Sequence, residues 1–466
     1  MHSLSLHEIA RIVGGQLHGD GNVVVTGIAT NSQSVHSGDL FCAIVGQRVN
    51  GHDFVEAAYL AGARAVLCTS PVTEPCVVVP SGVEIDGVIL ALGKIAQHVR
   101  GSLSDVELVG VTGSSGKTST KDLIGQVLST VGVTQSPEGS PNNELGLPLT
   151  ILQAPEGTQF YVLEMGMRGM GHIAYLCDIA HPTIGVVTNV GRAHIGEVGS
   201  IENIALAKSE LISSLPADGV AILNADDERV LAMAALARCQ VVTFGESENA
   251  EMRARNIVMS DDGTTDFVLD YLGDSEHVHL TLIGRHNVSN ALAAAAVGVT
   301  VGMTLPDIAQ ALSSAVSKSK WRMERHELPR GVTLINDAYN ANPESMLASL
   351  KALGGYPADR TKWAVIAGMH ELGQDSNQAH ADIAAHAVDA GVNHLVVIGE
   401  LARPAYDSGL ELGLNAVWLP NIEQAADYIG QKVAARDVLL FKASRSEGLE
   451  RLAALVQEQI EKGAQA

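Results

Sequence analysis

The chain has 466 residues, too many for a single hydrophobic core, so several domains are expected. Hydrophobic residues make up 46% of it and aromatic residues only 4%, which favours parallel sheets of small aliphatic side chains covered by helices. Because binding to nucleic acid or to an anionic membrane surface needs a basic face, the formal net charge of −22 argues against both.

The first predicted domain covers residues 1–105. Short apolar strands are predicted at 40–45 and 65–68, and helical runs at 53–62 and 88–100. A small α/β domain is therefore expected at the amino terminus.

The second predicted domain covers residues 106–317. Its apolar strands each end in a polar or glycine-containing turn, at 106–111, 160–163, 184–188 and 219–223. Ligands of parallel α/β sheets bind at the carboxyl ends of such strands, so this domain is predicted to bind the main ligand. The stretch 246–280 alternates between apolar and polar residues and predicts a small antiparallel insert. An Ala-rich helix is predicted at 289–301.

The third predicted domain covers residues 318–466 and follows a polar run at 314–320. Its strands alternate with helical segments and are predicted at 333–336, 363–367, 394–398 and 438–441. This alternation is typical of βαβ units and predicts a second, Rossmann-like sheet. The predicted fold class is therefore α/β, with three domains around a central parallel sheet.

A glycine-rich turn at residues 113–118 (Gly-Ser-Ser-Gly-Lys-Thr) joins the strand at 106–111 to a helix. Backbone N–H groups of such a turn bind phosphate oxygens at the helix amino terminus. Lys117 could reach the β and γ phosphates, and the Thr118 hydroxyl could bind Mg²⁺. The spacing departs from the usual phosphate loop, because two residues rather than four precede the Gly-Lys pair. The alternative is a glycine-rich turn beside a surface lysine.

Three further polar residues follow or lie near the same predicted sheet edge. Glu164 ends a strand and is placed to hold Mg²⁺, and His194 follows the next strand. Lys208 lies in an amphipathic helix at 204–212, where partial burial would lower its pKa and allow its neutral amine to react with CO₂. Taken alone, each has an ordinary alternative: a solvent-facing glutamate, a structural histidine and a solvated lysine.

Five cysteines, an odd number without paired metal-ligand spacing, predict free thiols in a reducing cytoplasm. The amino terminus has no apolar core of a signal peptide. No run of about 18 apolar residues is present, so no membrane span is predicted.

Three features together resemble the ATP-dependent Mur ligases of peptidoglycan synthesis. They are the loop at 112–118, the Glu-Met-Gly strand end at 164–166, and the Asn-x-x-x-x-His element at 189–194. The short loop spacing is itself typical of that family. The resemblance implies three domains, one for a UDP-linked substrate, one for ATP and one for the incoming amine.

Other segments are similar to those of family members that add D-alanyl-D-alanine to UDP-N-acetylmuramoyl-tripeptide. They are residues 337–343, 367–373 and 442–445. The Asp-Asn-Pro-Arg motif of the members that add the third residue is missing. The resemblance implies ligation through an acyl phosphate, with ATP and two Mg²⁺ ions, for which Mn²⁺ could substitute, and N6-carboxylysine at Lys208. The implied partners are these two small-molecule substrates, without nucleic acid or membrane, and a monomer is expected.

The resemblance also implies roles for individual residues. The implied phosphate-binding residues are Gly113, Ser114, Ser115, Gly116, Lys117 and Thr118. The other implied nucleotide-binding residues are Asn143, Asn287 and Asn290 near adenine, Asp337 at the ribose and Arg322 near the phosphates. The implied metal ligands are Thr118, Glu164, His194 and Lys208, and the implied catalytic residues are Lys117, Lys208, His194 and Arg322. The implied substrate-binding residues are Ser32, Gly46, His52, Asn142, Tyr339, Asn340, Asn342 and Arg445.

The amino-terminal region departs from the family at one point. The family has Asp-Ser/Thr-Arg where this chain has Asn31-Ser32-Gln33, so an arginine that could contact the UDP end is absent. Two alternatives also stay open. One is a ligase of the same fold with another acceptor, such as a third-residue-adding or folylpolyglutamate-type enzyme. The other is a regulatory P-loop NTPase, although the Asn-Lys-x-Asp element expected for guanine is missing.

Overall fold

The computed structural model describes residues 3–193 and 195–463. Its three large sheets occupy separate stretches of the chain, at 16–78, 107–280 and 324–442. Strands alternate with helices in each stretch, and most neighbouring strands are parallel. The predicted three-domain α/β fold is therefore confirmed.

The first sheet has five strands in the order β2-β7-β6-β5-β4, and β1 pairs with β3 in a separate ribbon. The long helix α3 leads from this sheet into the second. The elements are β1 (Leu4–Ser5), α1 (Leu6–Val13), β2 (Gln16–His18), β3 (Val24–Val25), β4 (Gly27–Ala29), β5 (Asp39–Cys42), α2 (Val55–Ala61), β6 (Ala65–Cys68), β7 (Cys76–Val78) and α3 (Gly87–Gly101).

The second sheet has nine strands in the order β16-β15-β14-β13-β12-β11-β8-β10-β9. Strand β8 lies between the parallel strands β10 and β11, so the segments that follow these three strands meet at one edge of the sheet. The elements are β8 (Glu107–Thr112), α4 (Lys117–Leu128), β9 (Thr134–Gln135), α5 (Gly146–Leu152), β10 (Phe160–Glu164), α6 (His172–Ala180), β11 (Ile184–Val187), α7 (Ile195–Val198), α8 (Ile201–Ser213), β12 (Val220–Asn224), α9 (Glu228–Ala232), β13 (Gln240–Gly245), β14 (Met252–Met259), β15 (Thr265–Tyr271), β16 (Asp274–Leu280), α10 (His286–Thr300) and α11 (Leu305–Ser313).

The alternating stretch 246–280 forms the antiparallel strands β14 to β16, as its pattern predicts. It is not a separate insert, because β14 pairs in parallel with β13 and extends the central sheet. The Ala-rich helix α10 packs against α4, and alanines such as Ala291 and Ala295 are fully buried at its core-facing positions. Small side chains let the two helices approach closely beside the glycine-rich turn.

The third sheet has six strands in the order β17-β18-β22-β19-β20-β21, all parallel except for β17. The elements are β17 (Glu324–Leu328), β18 (Val332–Asn336), α12 (Pro343–Gly354), β19 (Lys362–Ile366), α13 (Ser376–Asp389), β20 (His394–Ile398), α14 (Arg403–Glu411), β21 (Ala416–Leu419), α15 (Ile422–Lys432), β22 (Val438–Lys442) and α16 (Leu449–Gly463).

The linker between the second and third sheets is held on helix α4. The side-chain amide of Gln126 donates to Val316 O and accepts from Val316 N, both at 3.0 Å. One turn earlier, Asp122 Oδ2 accepts a 2.5 Å hydrogen bond from the buried Ser319 hydroxyl. The helix that begins at the glycine-rich turn therefore also fixes the chain that enters the third sheet.

All five cysteines are free thiols. Across the part of the chain that the structure describes, every helix is too short or too polar to span a bilayer.

Candidate active site

A cavity of about 1300 Å³ lies where the three sheet regions meet. We call the three stretches that carry the sheets, with their helices, the first, second and third regions. Glu84 and Ile85, between β7 and α3 of the first region, contribute to the cavity wall. The second region contributes the glycine-rich turn and the end of β10. The third contributes Arg322, Asp337 and Arg445, among others. Most of the residues predicted to bind nucleotide or substrate line this one space.

The glycine-rich turn needs glycine at two positions. Gly113 has a φ of +155°, and a Cβ there would lie 1.9 Å from Thr188 Oγ1. Gly116 has a φ of +76°, and a Cβ there would lie 2.7 Å from Asn290 Oδ1. Both positive φ values disfavour side chains, and both close approaches bring neighbouring elements onto the turn.

Asn189, which follows β11, supports this turn from one side. Its Oδ1 accepts hydrogen bonds from Ser114 N at 3.1 Å and Ser115 N at 2.9 Å, and its Nδ2 donates to Ser115 O. The backbone N–H groups of Ser114 and Ser115 therefore stabilise the conformation of the turn. The amides left for an anion are those of the first turn of α4, at Lys117 and Thr118, which have no intrahelical acceptor.

The half-buried Lys117 folds back over the turn, and its Nζ donates to Gly113 O at 2.8 Å. Burial lowers the pKa of the Lys117 amine, Glu164 acts in the opposite direction, and the charge of Arg322 lowers it further. The lysine, the glutamate and the arginine are thus close enough to influence one another at the edge of the cavity.

Glu164 ends β10 and is held from two sides. Thr118 Oγ1 donates to its Oε2 at 2.7 Å, and Asn142 Nδ2 donates to its Oε1 at 2.8 Å. Burial raises the pKa of the Glu164 carboxyl, but the charges of Lys117 and Arg322, together with hydrogen bonding to the carboxylate, leave the pKa below its usual value. The carboxylate is therefore ionised at neutral pH.

These oxygen donors fit a magnesium ion that is shared with phosphate oxygens, because Mg²⁺ is commonly bound by one or two protein oxygens plus phosphates and water. Within residues 3–193 and 195–463, no group of three or more His, Cys, Asp or Glu side chains is arranged to hold a metal ion by itself. His194, predicted as a metal ligand, lies outside the described residues.

Lys208 lies on α8 and is only 2% exposed. Burial lowers its pKa well below the usual value for lysine, and the neighbouring charge of Lys117 lowers it further, while Glu164 raises it. The partial burial inferred from the helix pattern is in fact almost complete, because α8 packs against the central sheet, with Leu211 over Gly110 and Gly185. A lowered pKa increases the uncharged fraction of the amine, which is the form that reacts with CO₂.

The three asparagines predicted near adenine all line the cavity. Asn290 and Asn287 are buried on α10 and form a relay in which Thr120 donates to Asn290, Asn290 to Asn287, and Asn287 to Ile283 O. Asn143 is exposed, and its Oδ1 accepts from Gly146 N at 2.9 Å. Of the three asparagines, Asn143 is therefore the exposed one.

Asp337, predicted at the ribose, lines the cavity but already accepts three hydrogen bonds. Met323 N donates to its Oδ1 at 3.1 Å, and the Ser349 hydroxyl donates to its Oδ2 at 2.6 Å. Lys442 Nζ lies 2.5 Å from the same Oδ2 in a buried ion pair. A carboxylate has about four lone-pair sites, so one site is left for a ligand.

Arg322 and Arg445 each lie over an aromatic ring. The Arg322 guanidinium carbon lies 4.2 Å from the centre of the Tyr339 ring, and that of Arg445 lies 4.1 Å from the Trp321 ring. Arg445 also pairs with Glu450 at 2.5 Å. Both arginines line the cavity. The nucleotide contact of Arg322 and the substrate contact of Arg445 stay predictions.

Asn340 and Asn342 line the same wall, but Asn342 also joins the two larger sheet regions. Its Oδ1 caps helix α12, and its Nδ2 donates to Ser114 O in the glycine-rich turn at 3.2 Å. Nearby, Glu344 Oε1 accepts from Arg192 N at 2.7 Å. The third region is thus docked directly on the strand ends of the second.

Ser32, Gly46 and His52, predicted for the UDP end, are not among the described lining residues. Ser32 begins a short 3₁₀ turn capped by Asn31, and Gly46 lies in an exposed loop. His52 contacts Asn50 Oδ1 and accepts from Thr69 N. These three residues therefore belong to the stretch that carries the first sheet and do not line the main cavity.

Several residues of the cavity wall were missed from sequence. Lys442 belongs to a segment already recognised, and its position at the carboxyl end of a strand was a usable signal. His370 also lines the cavity and lies in the recognised segment 367–373, but its side chain meets Glu447 at 2.5 Å, a contact between distant segments that no local pattern indicates.

Comparison with known proteins identifies the family. The family models for the Mur ligase catalytic domain, the Mur ligase middle domain and the Mur ligase glutamate ligase domain match residues 24–99, 111–298 and 321–445. The chain belongs to the Mur ligase family.

This Mur ligase is similar over nearly its whole length to proteins of known assignment. It is 39% identical to the UDP-N-acetylmuramoyl-tripeptide–D-alanyl-D-alanine ligase of Mycobacterium bovis, with 96% of each chain covered. MurF from Acinetobacter baumannii superposes with a TM-score of 0.88 at 29% identity, covering 98% of this chain and 99% of that one. MurF ligase from Thermotoga maritima, solved in complex with ADP, gives a TM-score of 0.81 at 29% identity, covering 94% and 99%.

Proposed function

We propose that this Mur ligase joins D-alanyl-D-alanine to UDP-N-acetylmuramoyl-tripeptide and converts ATP to ADP and phosphate. The observation that carries the proposal is the single cavity in which the phosphate turn of the second region faces the arginine-lined wall of the third. Relatives that match the chain over its length are named for this reaction.

The proposed reaction has two steps. The tripeptide carboxylate attacks the γ phosphorus of ATP, and ADP leaves as an acyl phosphate forms. The free amine of the dipeptide then attacks the acyl carbon, and the tetrahedral intermediate expels inorganic phosphate to give the amide. Both steps bring anions together, so the positive charges of Lys117 and Arg322 and the amides at the start of α4 would stabilise them.

We also propose that two Mg²⁺ ions assist, and that Mn²⁺ can substitute. Thr118 and Glu164 would hold one ion, and His194 together with carbamylated Lys208 would hold the other. When bound, the ions would neutralise charge on the phosphate oxygens. The burial of Lys208 and the lowered pKa of its amine support the carbamate, because only a neutral amine reacts with CO₂.

The residue roles and domain limits complete the proposal. The proposed domains are 1–105 for the UDP-linked substrate, 106–317 for ATP and 318–466 for the dipeptide, acting in a monomer. Ser32, Gly46 and His52 would contact the UDP end. Asn143, Asn287, Asn290 and Asp337 would contact the nucleoside, and Asn142 and Asn342 would shape the site between the domains. Asn340 and Arg445 would face the dipeptide.

A phosphate-release assay with paired substrates tests this proposal. We expect release only when a UDP-muramoyl-tripeptide and D-alanyl-D-alanine are both present, with an equimolar amide product by mass spectrometry. Lys117→Ala should abolish both signals, whereas the control Lys320→Ala, at an exposed linker lysine, should leave them unchanged. Phosphate release without an acceptor, or equal release with free amino acids in place of the dipeptide, would contradict the assignment.

A further inference from the structure

Arg322 enters the cavity from an unusual stretch of backbone. The residues on either side of it, Trp321 and Met323, have φ values of +59° and +48°, in the left-handed region that side chains other than glycine rarely adopt. Such conformations persist where the surrounding contacts hold them, and they cluster at functional sites. The backbone here is therefore fixed by its neighbours.

Those neighbours are the residues that follow strand β18. Tyr339 N donates to Trp321 O at 3.0 Å, and Asp337 Oδ1 accepts from Met323 N at 3.1 Å. The segment 337–339 thus holds the backbone on both sides of Arg322. The same segment also supplies the ring on which the Arg322 side chain lies.

The Arg322 guanidinium is held by this ring rather than by an acid. Its carbon lies 4.2 Å from the centre of the Tyr339 ring, and its buried Nε has no hydrogen-bond partner among the described residues. None of the ion pairs found in the described chain includes Arg322, whereas Arg445 pairs with Glu450. The positive charge of Arg322 therefore stays available for an anion in the cavity.

The position of this charge matters because Arg322 lines the same cavity as the phosphate turn. Lys117 and Glu164 line that cavity too, and the charge of Arg322 acts on both, so it lies near the groups proposed to bind phosphate and metal. An arginine side chain has many rotamers, and a neighbouring aromatic face limits them. The face of Tyr339 that Arg322 covers is closed to a substrate.

We propose that Tyr339 is a positioning residue whose ring and backbone hold Arg322 directed at the transferring phosphoryl group. This inference rests on the proposed ligation reaction. It moves Tyr339 from direct substrate binding to a role that acts through Arg322. The ring matters for this role, and the phenolic hydroxyl does not.

Two substitutions separate the ring from the hydroxyl. Tyr339→Phe keeps the aromatic face, and its kcat should stay within about twofold of the parent. Tyr339→Leu removes the face, and its kcat should fall about tenfold or more, with little change in the KM for the dipeptide. The control Tyr428→Leu removes a ring that lies under Lys432 on helix α15 of the same region, and kcat should not change. Thermal unfolding of each variant checks that it is folded.

A double-mutant cycle decides whether Tyr339 acts through Arg322 or independently of it. After Arg322→Ala, the further change Tyr339→Leu should have almost no additional effect on kcat. The proposal is overturned if the kcat losses of the two single variants multiply in full in the double variant. It is also overturned if Tyr339→Leu keeps the parental kcat, or if Tyr339→Phe is as slow as Tyr339→Leu.

Affinity for a non-hydrolysable ATP analogue, which keeps a γ phosphoryl group, gives a readout that does not depend on ligation. By calorimetry, Tyr339→Leu and Arg322→Ala should weaken binding of this analogue by similar factors, and the double variant should bind it no more weakly than Arg322→Ala. If the parent chain fails to ligate the two substrates, the proposed function fails. If the affinities for the analogue do not follow this pattern, the positioning role fails, whatever the substrates are.

Discussion

The hydroxyl of Thr118 donates a 2.7 Å hydrogen bond to Glu164 Oε2 and so joins the first turn of α4 to the end of β10. Asn142 occupies the other carboxylate oxygen at 2.8 Å. Two neutral donors thus hold an ionised carboxylate beside Lys117. The arrangement orients the oxygens without neutralising their charge, as a magnesium-binding carboxylate requires.

Removing the charge of Glu164 should therefore cost activity more than stability. We expect Glu164→Gln to lower kcat by ~10²-fold or more, because the amide keeps the shape but supplies no negative charge for the metal. Titration of the activity with Mg²⁺ should show a higher metal requirement. Steady-state phosphate release at several Mg²⁺ concentrations measures both effects.

Glu144→Gln is the matched control, since this half-buried glutamate also lines the cavity but does not contact Thr118. A Glu164→Gln variant with parental kcat and the parental magnesium dependence would argue against the metal role.

Lys208 offers a second prediction, based on its burial. Lys208→Ala should lose most activity, and a small added carboxylate such as acetate should restore part of it by taking the place of the carbamate. The control Lys351→Ala, at an exposed position, should keep the parental activity, and acetate should not change it. Carbon NMR with labelled bicarbonate should show a carbamate signal in the parent that is missing in Lys208→Ala. A parent without this signal, together with a variant that acetate does not rescue, would contradict carboxylation.

Because His380 is buried, we expect the free energy of unfolding to depend on pH. The ring is fully buried, its Nε2 accepts from Met369 N at 2.8 Å, and its Nδ1 bonds with Ser376 O at 2.7 Å, so only the neutral form satisfies both contacts. Burial lowers the pKa of His380 below its usual value of 6.5, although Ser376 and Glu447 oppose the shift. The unfolded chain therefore binds the proton first as the pH falls.

The direction of this pH dependence follows from the lowered pKa of His380 in the folded chain. The contribution of His380 to stability is complete above about pH 6.5 and declines as the pH falls towards the lowered folded pKa, by at most ~1.4 kcal/mol per pH unit. We expect His380→Gln, whose side chain does not titrate, to lose less thermal stability than the parent between about pH 7 and pH 5. Calorimetric unfolding of the nucleotide-free chain measures this difference. The exposed His277→Gln should keep the parental pH dependence, and an identical dependence in His380→Gln would refute the expectation.

The linker contacts on α4 lead to a prediction about proteolysis. Gln126→Ala removes both hydrogen bonds to Val316 and should let the linker leave the helix more often. Trypsin cleavage after the exposed Lys318 and Lys320 should then be several-fold faster, since each solvent-accessible hydrogen bond contributes ~0.5–1.5 kcal/mol. Timed digestion with mass spectrometry locates the cuts. Gln310→Ala, at an exposed position of α11, should be cleaved like the parent.

Local features of the fold could be predicted from the sequence because they depend on adjacent residues. The strand at His394–Ile398 agrees with the predicted range, and the helix predicted at 88–100 spans Gly87–Gly101. The glycine-rich turn was recognised because strand, turn and helix are contiguous. The pairing of β14 with β13 was not foreseen, since alternation indicates which face of a strand is buried but not which strand lies beside it.

The contacts within the candidate active site could not be predicted from local patterns either. Asn189 belongs to the Asn-x-x-x-x-His element, but its bonds to Ser114 and Ser115 join positions about 75 residues apart, which no local motif indicates. The ring of Tyr339 under Arg322 and the ion pair of Asp337 with Lys442 likewise depend on how the third sheet is assembled. A motif can indicate which residue types are needed, whereas their actual partners depend on tertiary packing.

The bonds from Asn189 have a consequence for nucleotide exchange. Because its side chain holds the amides of Ser114 and Ser115, the turn keeps its shape without help from a ligand. In the proposed reaction, ADP can then depart and ATP can enter without a disordered segment having to refold, so little conformational entropy is lost at each exchange. The slow motion of the catalytic cycle is then expected in the separation of the third sheet region from the second, where Asn342 and Glu344 must release their contacts.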